Sequence, residues 1–196
     1  MRIITTITVS LTLLYIAGCA PQSLPDKNNI HSSYSIADVT TFSSILNCEN
    51  TKVADVTPEF SQDYCQILGA NIRVALRRNN PHLKYDAVNP ELVVQTTLDE
   101  INGGGTTSLF WFGFGVDSSM TTVSVKVVKN CEIIAERRIT ETITLPILGN
   151  NHFTNEDAIL KDAPLLASKI EQFTKDPVKY EKNEKKSWGS LLDFGD

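Results

Sequence analysis

The sequence of 196 residues has little of what would indicate an enzyme or a nucleic-acid-binding protein. It has no Gly-x-Ser-x-Gly elbow for a nucleophilic serine and no His-Glu-x-x-His motif for zinc. Its three histidines lie far apart, and no two of its four cysteines have the Cys-x-x-Cys spacing of metal sites. The chain has 23 acidic and 18 basic residues, which gives a net charge of −5. A negative net charge does not favour binding to the negatively charged backbone of a nucleic acid. We therefore expect no catalytic residues, metal or cofactor.

Long hydrophobic runs are equally scarce, and the one that exists is at the N-terminus. It extends from Ile3 to Ile16 after a single basic residue, Arg2, which is typical of a secretory signal peptide. The run is shorter than the roughly 20 residues of a transmembrane helix. It ends in Ile16-Ala17-Gly18-Cys19, which resembles the lipobox of bacterial lipoproteins. The resemblance implies that residues 1–18 are removed and that Cys19 carries the lipid anchor.

The residues after Cys19 indicate where the anchored protein resides. Ala20 stands where enteric lipoproteins retained in the inner membrane have aspartate, so the resemblance implies the outer membrane, with the chain facing the periplasm. Residues 19–33 are polar and contain two prolines, which predicts a flexible tether. Residues 34–175 then form the single domain, and residues 176–196 are predicted to be a charged, solvated tail with an apolar end.

The hydrophobic pattern of residues 34–175 predicts an α+β domain. Thr57-Pro58-Glu59 is a typical helix start, and Asn79-Asn80-Pro81 a typical helix end. Residues 43–56 are predicted to be a loop, and Asn130-Cys131 the turn of a β-hairpin. The expected order is β-α-β-β-β-α, a two-layer sandwich with a mainly antiparallel sheet of about four strands and two helices on one face. The predicted strands are residues 34–42, 91–101, 120–129 and 133–144, and the helices are residues 58–79 and 155–175.

The cysteines that remain after lipidation offer one short-range pairing. Cys48 lies before the first helix and Cys65 lies within it, and the periplasm is oxidising. A disulfide between them is therefore plausible, with Cys131 as the unpaired thiol. Three free cysteines are the alternative.

A cluster of aromatic residues between two predicted strands is the most informative internal segment. Residues 109–114 read Leu-Phe-Trp-Phe-Gly-Phe. Their side chains either complete the core over a sheet edge or form an apolar patch for a partner or a bilayer surface. The candidate contact residues are Phe110, Trp111, Phe112 and Phe114.

The lipobox, the FWFGFG turn and the Val-rich hairpin together resemble a family of bacterial outer-membrane lipoproteins with a domain of unknown function. The resemblance implies a non-catalytic binding or accessory subunit of a cell-envelope assembly, attached to the membrane by lipid and contacting an envelope protein. A carrier of a lipid or small apolar ligand is the alternative. A hydrolase built from residues distant in sequence is a third class.

Overall fold

The computed structural model describes residues 29–31, 34–103, 116–146 and 155–192. Within these ranges the chain forms one mixed sheet, three α-helices and a short 3-10 helix, Ile36–Asp38. The strands are β1 (Asn29–Ile30), β2 (Thr41–Asn47), β3 (Lys52–Ala54), β4 (Lys84–Tyr85), β5 (Leu92–Asn102), β6 (Val116–Lys129) and β7 (Glu132–Pro146). The helices are α1 (Pro58–Asn79), α2 (Asn155–Lys175) and α3 (Pro177–Leu192).

The sheet has seven strands in the order β1-β7-β6-β5-β2-β4, with β3 also paired to β5. Strands β5, β6 and β7 are antiparallel, whereas β2 is parallel to both β5 and β4. The predicted α+β class is confirmed, but the predicted sheet of about four strands is too small. The added strands β1, β3 and β4 are two or three residues long, so side-chain alternation cannot reveal them. They form because a neighbouring strand offers backbone partners.

The first predicted strand is misplaced along the chain. The predicted range 34–42 holds the 3-10 helix, and β2 extends instead into the predicted loop 43–56. Ser43 and Ser44 read as loop residues in isolation, yet both pair with β5. Tertiary pairing thus overrides the weak strand propensity of serine.

Helix α1 begins and ends where the sequence predicts. The Thr57 hydroxyl accepts a hydrogen bond from the Phe60 N–H at 3.2 Å and donates one to Glu156 in α2 at 3.0 Å. The N-terminal cap of α1 is therefore also a contact between two helices. The side chains that α1 buries follow one stripe: Phe60, Tyr64, Leu68, Ile72 and Leu76.

The β6–β7 hairpin turns at Asn130 and Cys131, as predicted. Both residues have positive φ angles, 50° and 66°. Such a two-residue turn matches the twist of the paired strands. Asn tolerates the left-handed conformation, whereas Cys131 adopts it at a steric cost that glycine would avoid.

The hydrophobic core lies between the sheet and α1 and α2. Val123, Val125 and Val127 of β6 face the core, where Ile159, Leu166 and Ile170 of α2 are also fully buried. The opposite face of β6 carries polar side chains, and these are buried as well. They are Thr122, Ser124 and Lys126, which contact Thr140, Asp99 and Glu136 of the flanking strands.

The segment from residue 176, predicted to be a solvated tail, forms α3. Tyr180 is buried, with its ring 5.8 Å from Phe173 in an edge-to-face contact. Arg137 of β7 lies 5.0 Å from the centre of the Tyr180 ring and forms ion pairs with Glu181 and Glu184. The charges of this segment are therefore partly paired with the sheet, which the local sequence does not reveal.

Candidate functional site

The residues predicted to anchor the chain and to contact a partner lie outside the described residues. They are Cys19, Phe110, Trp111, Phe112 and Phe114. Their predicted roles therefore stay predictions.

The predicted disulfide between Cys48 and Cys65 is present in the structure. Cys48 and Cys65 form a disulfide with a Cα–Cα distance of 6.4 Å, and Cys131 is free and exposed at the hairpin turn. Cys48 directly follows β2, so the bridge ties the end of this strand to the second turn of α1. The disulfide therefore holds α1 against β2 near one end of the surface described next.

Helix α1 and strand β4 form an exposed apolar and basic surface, here called the α1–β4 surface. It consists of Ala70, Arg73, Val74, Arg77 and Tyr85, which line a shallow cavity of about 400 Å³. Val74 is 60% exposed and Tyr85 is 49% exposed. A second cavity of about 440 Å³ continues the surface towards the helix end. Large apolar side chains left in solvent beside arginines are typical of protein-binding surfaces.

Helical periodicity places this surface on the outside of α1. Positions 70, 73, 74 and 77 share one face, away from the buried stripe that includes Leu68 and Ile72. Tyr85 is held against the sheet by an edge-to-face contact with Phe42 at 5.8 Å. This surface was not predicted from the sequence. The signal that could have revealed it is Val74, an apolar residue between Arg73 and Arg77 on the outward helix face.

A buried polar cluster lies under α2. Asp162 is fully buried, and its carboxylate accepts a hydrogen bond from the Ser119 hydroxyl at 3.4 Å. Burial, and then the nearby carboxylate of Glu141, raise the pKa of Asp162 to about 7. Lys169 of the same helix forms an ion pair with Glu141 at 2.6 Å. The raised pKa is that of a potential proton-transfer group, but a substrate cannot contact a side chain with no exposed surface.

A cavity of about 630 Å³ opens between the 3-10 helix and the ends of the three α-helices. The carrier alternative requires an apolar cavity. Here most lining residues are polar or charged by type, although Ile36, Ala37 and the aliphatic parts of the longer side chains supply much of the wall. Glu171, which is buried, accepts a hydrogen bond from Asn80 at 3.2 Å. The polar and charged lining residues are Ser35, Asn79, Glu171, Gln172, Lys175, Asp176, Lys179, Tyr180 and Asn183.

The described ranges, 29–31, 34–103, 116–146 and 155–192, contain neither a metal-binding cluster nor a membrane-spanning helix. No group of three or more His, Cys, Asp or Glu residues there could hold a metal ion. None of the helices described is both long enough and apolar enough to cross a membrane.

No protein-family model matches the sequence, and no curated protein matches it. Solved structures do resemble it. The PelC dodecamer from Paraburkholderia phytofirmans is 12% identical, with a TM-score of 0.40 over 72% of this chain and 96% of that one. A Xanthomonas campestris protein of family DUF330 is 7% identical, with a TM-score of 0.47 over 83% of this chain and 97% of that one. A protein from Caulobacter crescentus CB15 assigned as a lipoprotein is 11% identical, with a TM-score of 0.38 over 64% and 88%.

Proposed function

We propose that this protein is a lipid-anchored lipoprotein of the outer membrane that faces the periplasm and acts by binding another envelope protein. The observation that carries the proposal is the α1–β4 surface, where Val74 and Tyr85 remain exposed between two arginines. Leaving such side chains in water costs free energy that burial against a partner recovers, at about 25 cal/mol per Å² of apolar surface.

The anchor supports this role. Cys19, the last residue of the lipobox-like sequence, accepts lipid, and the polar residues 20–28 separate the domain from the bilayer, since Asn29–Ile30 already form β1. Nine such residues have a root-mean-square span of roughly 17 Å. Attachment to the membrane surface also confines the protein near envelope partners, which raises its effective concentration towards them.

The competing functions lack comparable support. Catalysis by Asp162 would require access that its burial denies. A carrier would require an empty apolar cavity between the sheet and the helices. Large side chains of the hydrophobic core already fill that space. Those side chains include Tyr64, Phe42 and Phe173, all less than 2% exposed.

The anchor is tested by mass spectrometry of the mature N-terminus. We expect a triacylated peptide that begins at Cys19, and a Cys19→Ser variant that is no longer retained in the membrane fraction. A wild-type chain without lipid would contradict the anchor.

The binding role is tested by cross-linking in intact envelopes followed by quantitative mass spectrometry. We expect one dominant partner in wild type, strongly reduced in Val74→Glu. Leu165→Glu is the matched control, because Leu165 is exposed to 49% on α2, away from this surface. A Trp111→Ala, Phe112→Ala double variant tests the aromatic segment separately. A partner recovered equally with Val74→Glu and wild type would refute the assignment of the surface.

A further inference from the structure

Strand β2 has an open edge. Strand β4 covers only its beginning: Lys84 donates its N–H to the Thr40 carbonyl and Asp86 donates its N–H to the Phe42 carbonyl, both at 2.9 Å. Backbone groups of alternate residues in a strand point to the same side. The N–H and C=O groups of Ser44 and Leu46 therefore point outward beyond the end of β4. Within the described residues nothing pairs with them.

The open edge lies beside the α1–β4 surface. Gly69 of α1 lies over Leu46, since a Cβ atom added to the glycine would be 3.5 Å from the Leu46 side chain. At the other end, Tyr85 contacts Phe42. The helix face from Ala70 to Arg77 therefore lies beside the same end of β2, and the cavity on this face is lined by α1 and by Tyr85 of β4.

The opposite edge of the sheet is covered along part of its length. There β1 pairs with part of β7, and Lys169 donates from α2 to the Thr140 carbonyl at 3.4 Å. Lysine on a sheet edge is a common device against strand addition. No lysine or proline occurs in β2. The two edges therefore differ in how open they are to another strand.

We propose that the open edge of β2 binds an extended, acidic segment of a partner protein by strand addition. The inference rests on the proposed binding function and specifies its surface. Backbone hydrogen bonds to Ser44 and Leu46 would supply affinity, and side chains on alternate positions would supply specificity. An apolar side chain of the partner fits against Val74, and carboxylates fit Arg73 and Arg77, which form no ion pair within the described residues.

The test uses the full chain and two synthetic ten-residue peptides that carry Thr at every second position and a mixture of Val and Glu at the positions between, which all face one side of the strand. In the second peptide, Lys replaces Glu. We expect the Glu peptide to bind at least about tenfold more tightly and to slow hydrogen exchange at the Ser44 and Leu46 amides. Ser44→Pro removes an outward N–H without breaking the pairing with β5. Its affinity for the Glu peptide should therefore be about tenfold lower than that of wild type. Ser44→Thr keeps the N–H and should bind like wild type.

Any one of the following results would overturn the inference. The first is no binding of the Glu peptide at millimolar concentration, and the second is equal binding by Ser44→Pro and wild type. The third is slow exchange of both amides in the free monomer, because this chain would then cover its own edge. The fourth is protection that grows with protein concentration, which would identify a second copy as the occupant. If Ser44→Pro keeps an envelope partner that Val74→Glu loses, the binding function stands and the strand-addition inference fails.

Discussion

Replacing Asp162 by Asn should remove a pH dependence from the stability of the domain. Asp162 is enclosed by groups from every neighbouring element: Tyr64 of α1, Thr121 of β6, Glu141 of β7 and Lys169 of α2. Burial and the carboxylate of Glu141 favour the protonated form of Asp162. Asn has nearly the same shape as the protonated acid and carries no charge at any pH.

The sign and size of the effect follow from the pKa of Asp162, which burial raises from 3.8 to about 7. Between these values the folded chain keeps a proton that the unfolded chain has lost. The free energy of unfolding therefore falls as the pH rises through this window, and the loss is complete above pH 7. At about 1.4 kcal/mol per pKa unit, the loss attributable to Asp162 is at most roughly 4 kcal/mol.

The assay is urea unfolding followed by circular dichroism at intervals from pH 4 to pH 8. The difference in unfolding free energy between Asp162→Asn and wild type should increase with pH up to pH 7 and then stay constant. Asp63→Asn is the matched control, because Asp63 is exposed on α1 and loses the same charge. A difference between Asp162→Asn and wild type that does not change with pH would refute the reasoning.

Three further changes should alter stability, each measured by urea unfolding. Replacing Cys48 and Cys65 by Ser should cost about 3 kcal/mol, since their disulfide closes a loop between residues 17 positions apart. Thr57→Ala should cost about 1 kcal/mol, because the cap on the Phe60 N–H is lost. Gly69→Ala should stabilise by about 0.5–1 kcal/mol, because a helical glycine is replaced and the new methyl has room.

Each of these changes has a control or a contradicting outcome. Cys131→Ser should leave the urea midpoint unchanged, because Cys131 is exposed and unbonded. Thr57→Ser keeps the hydroxyl and should retain most of the cap, so equal losses for Ser and Ala would exclude the cap as the cause. A lower midpoint for Gly69→Ala would contradict the inference that the added methyl makes only an ordinary van der Waals contact, 3.5 Å from the Leu46 side chain.

The parts of the fold that the sequence predicted are those determined by local chemistry. Thr57 and Pro58 specify the start of α1, the alternating valines specify β6, and Asn130-Cys131 specifies the hairpin turn. The order of the long elements up to residue 175, β-α-β-β-β-α, follows from the same patterns, whereas α3 was not predicted. The strands β1, β3 and β4 escaped prediction because their residues have no distinctive pattern and pair only where the sheet exposes a partner.

The functional features likewise fall into those that the sequence determines and those that depend on the tertiary structure. The sequence by itself determined the lipid-anchor motif at Cys19 and the absence of the known catalytic motifs, because these depend on residue type and spacing alone. Only the tertiary structure decided that the outward face of α1 borders an unpaired strand edge and that Asp162 is buried beside Glu141. Both depend on which segments pair and pack together, and contacts between residues far apart in the chain have no local signature.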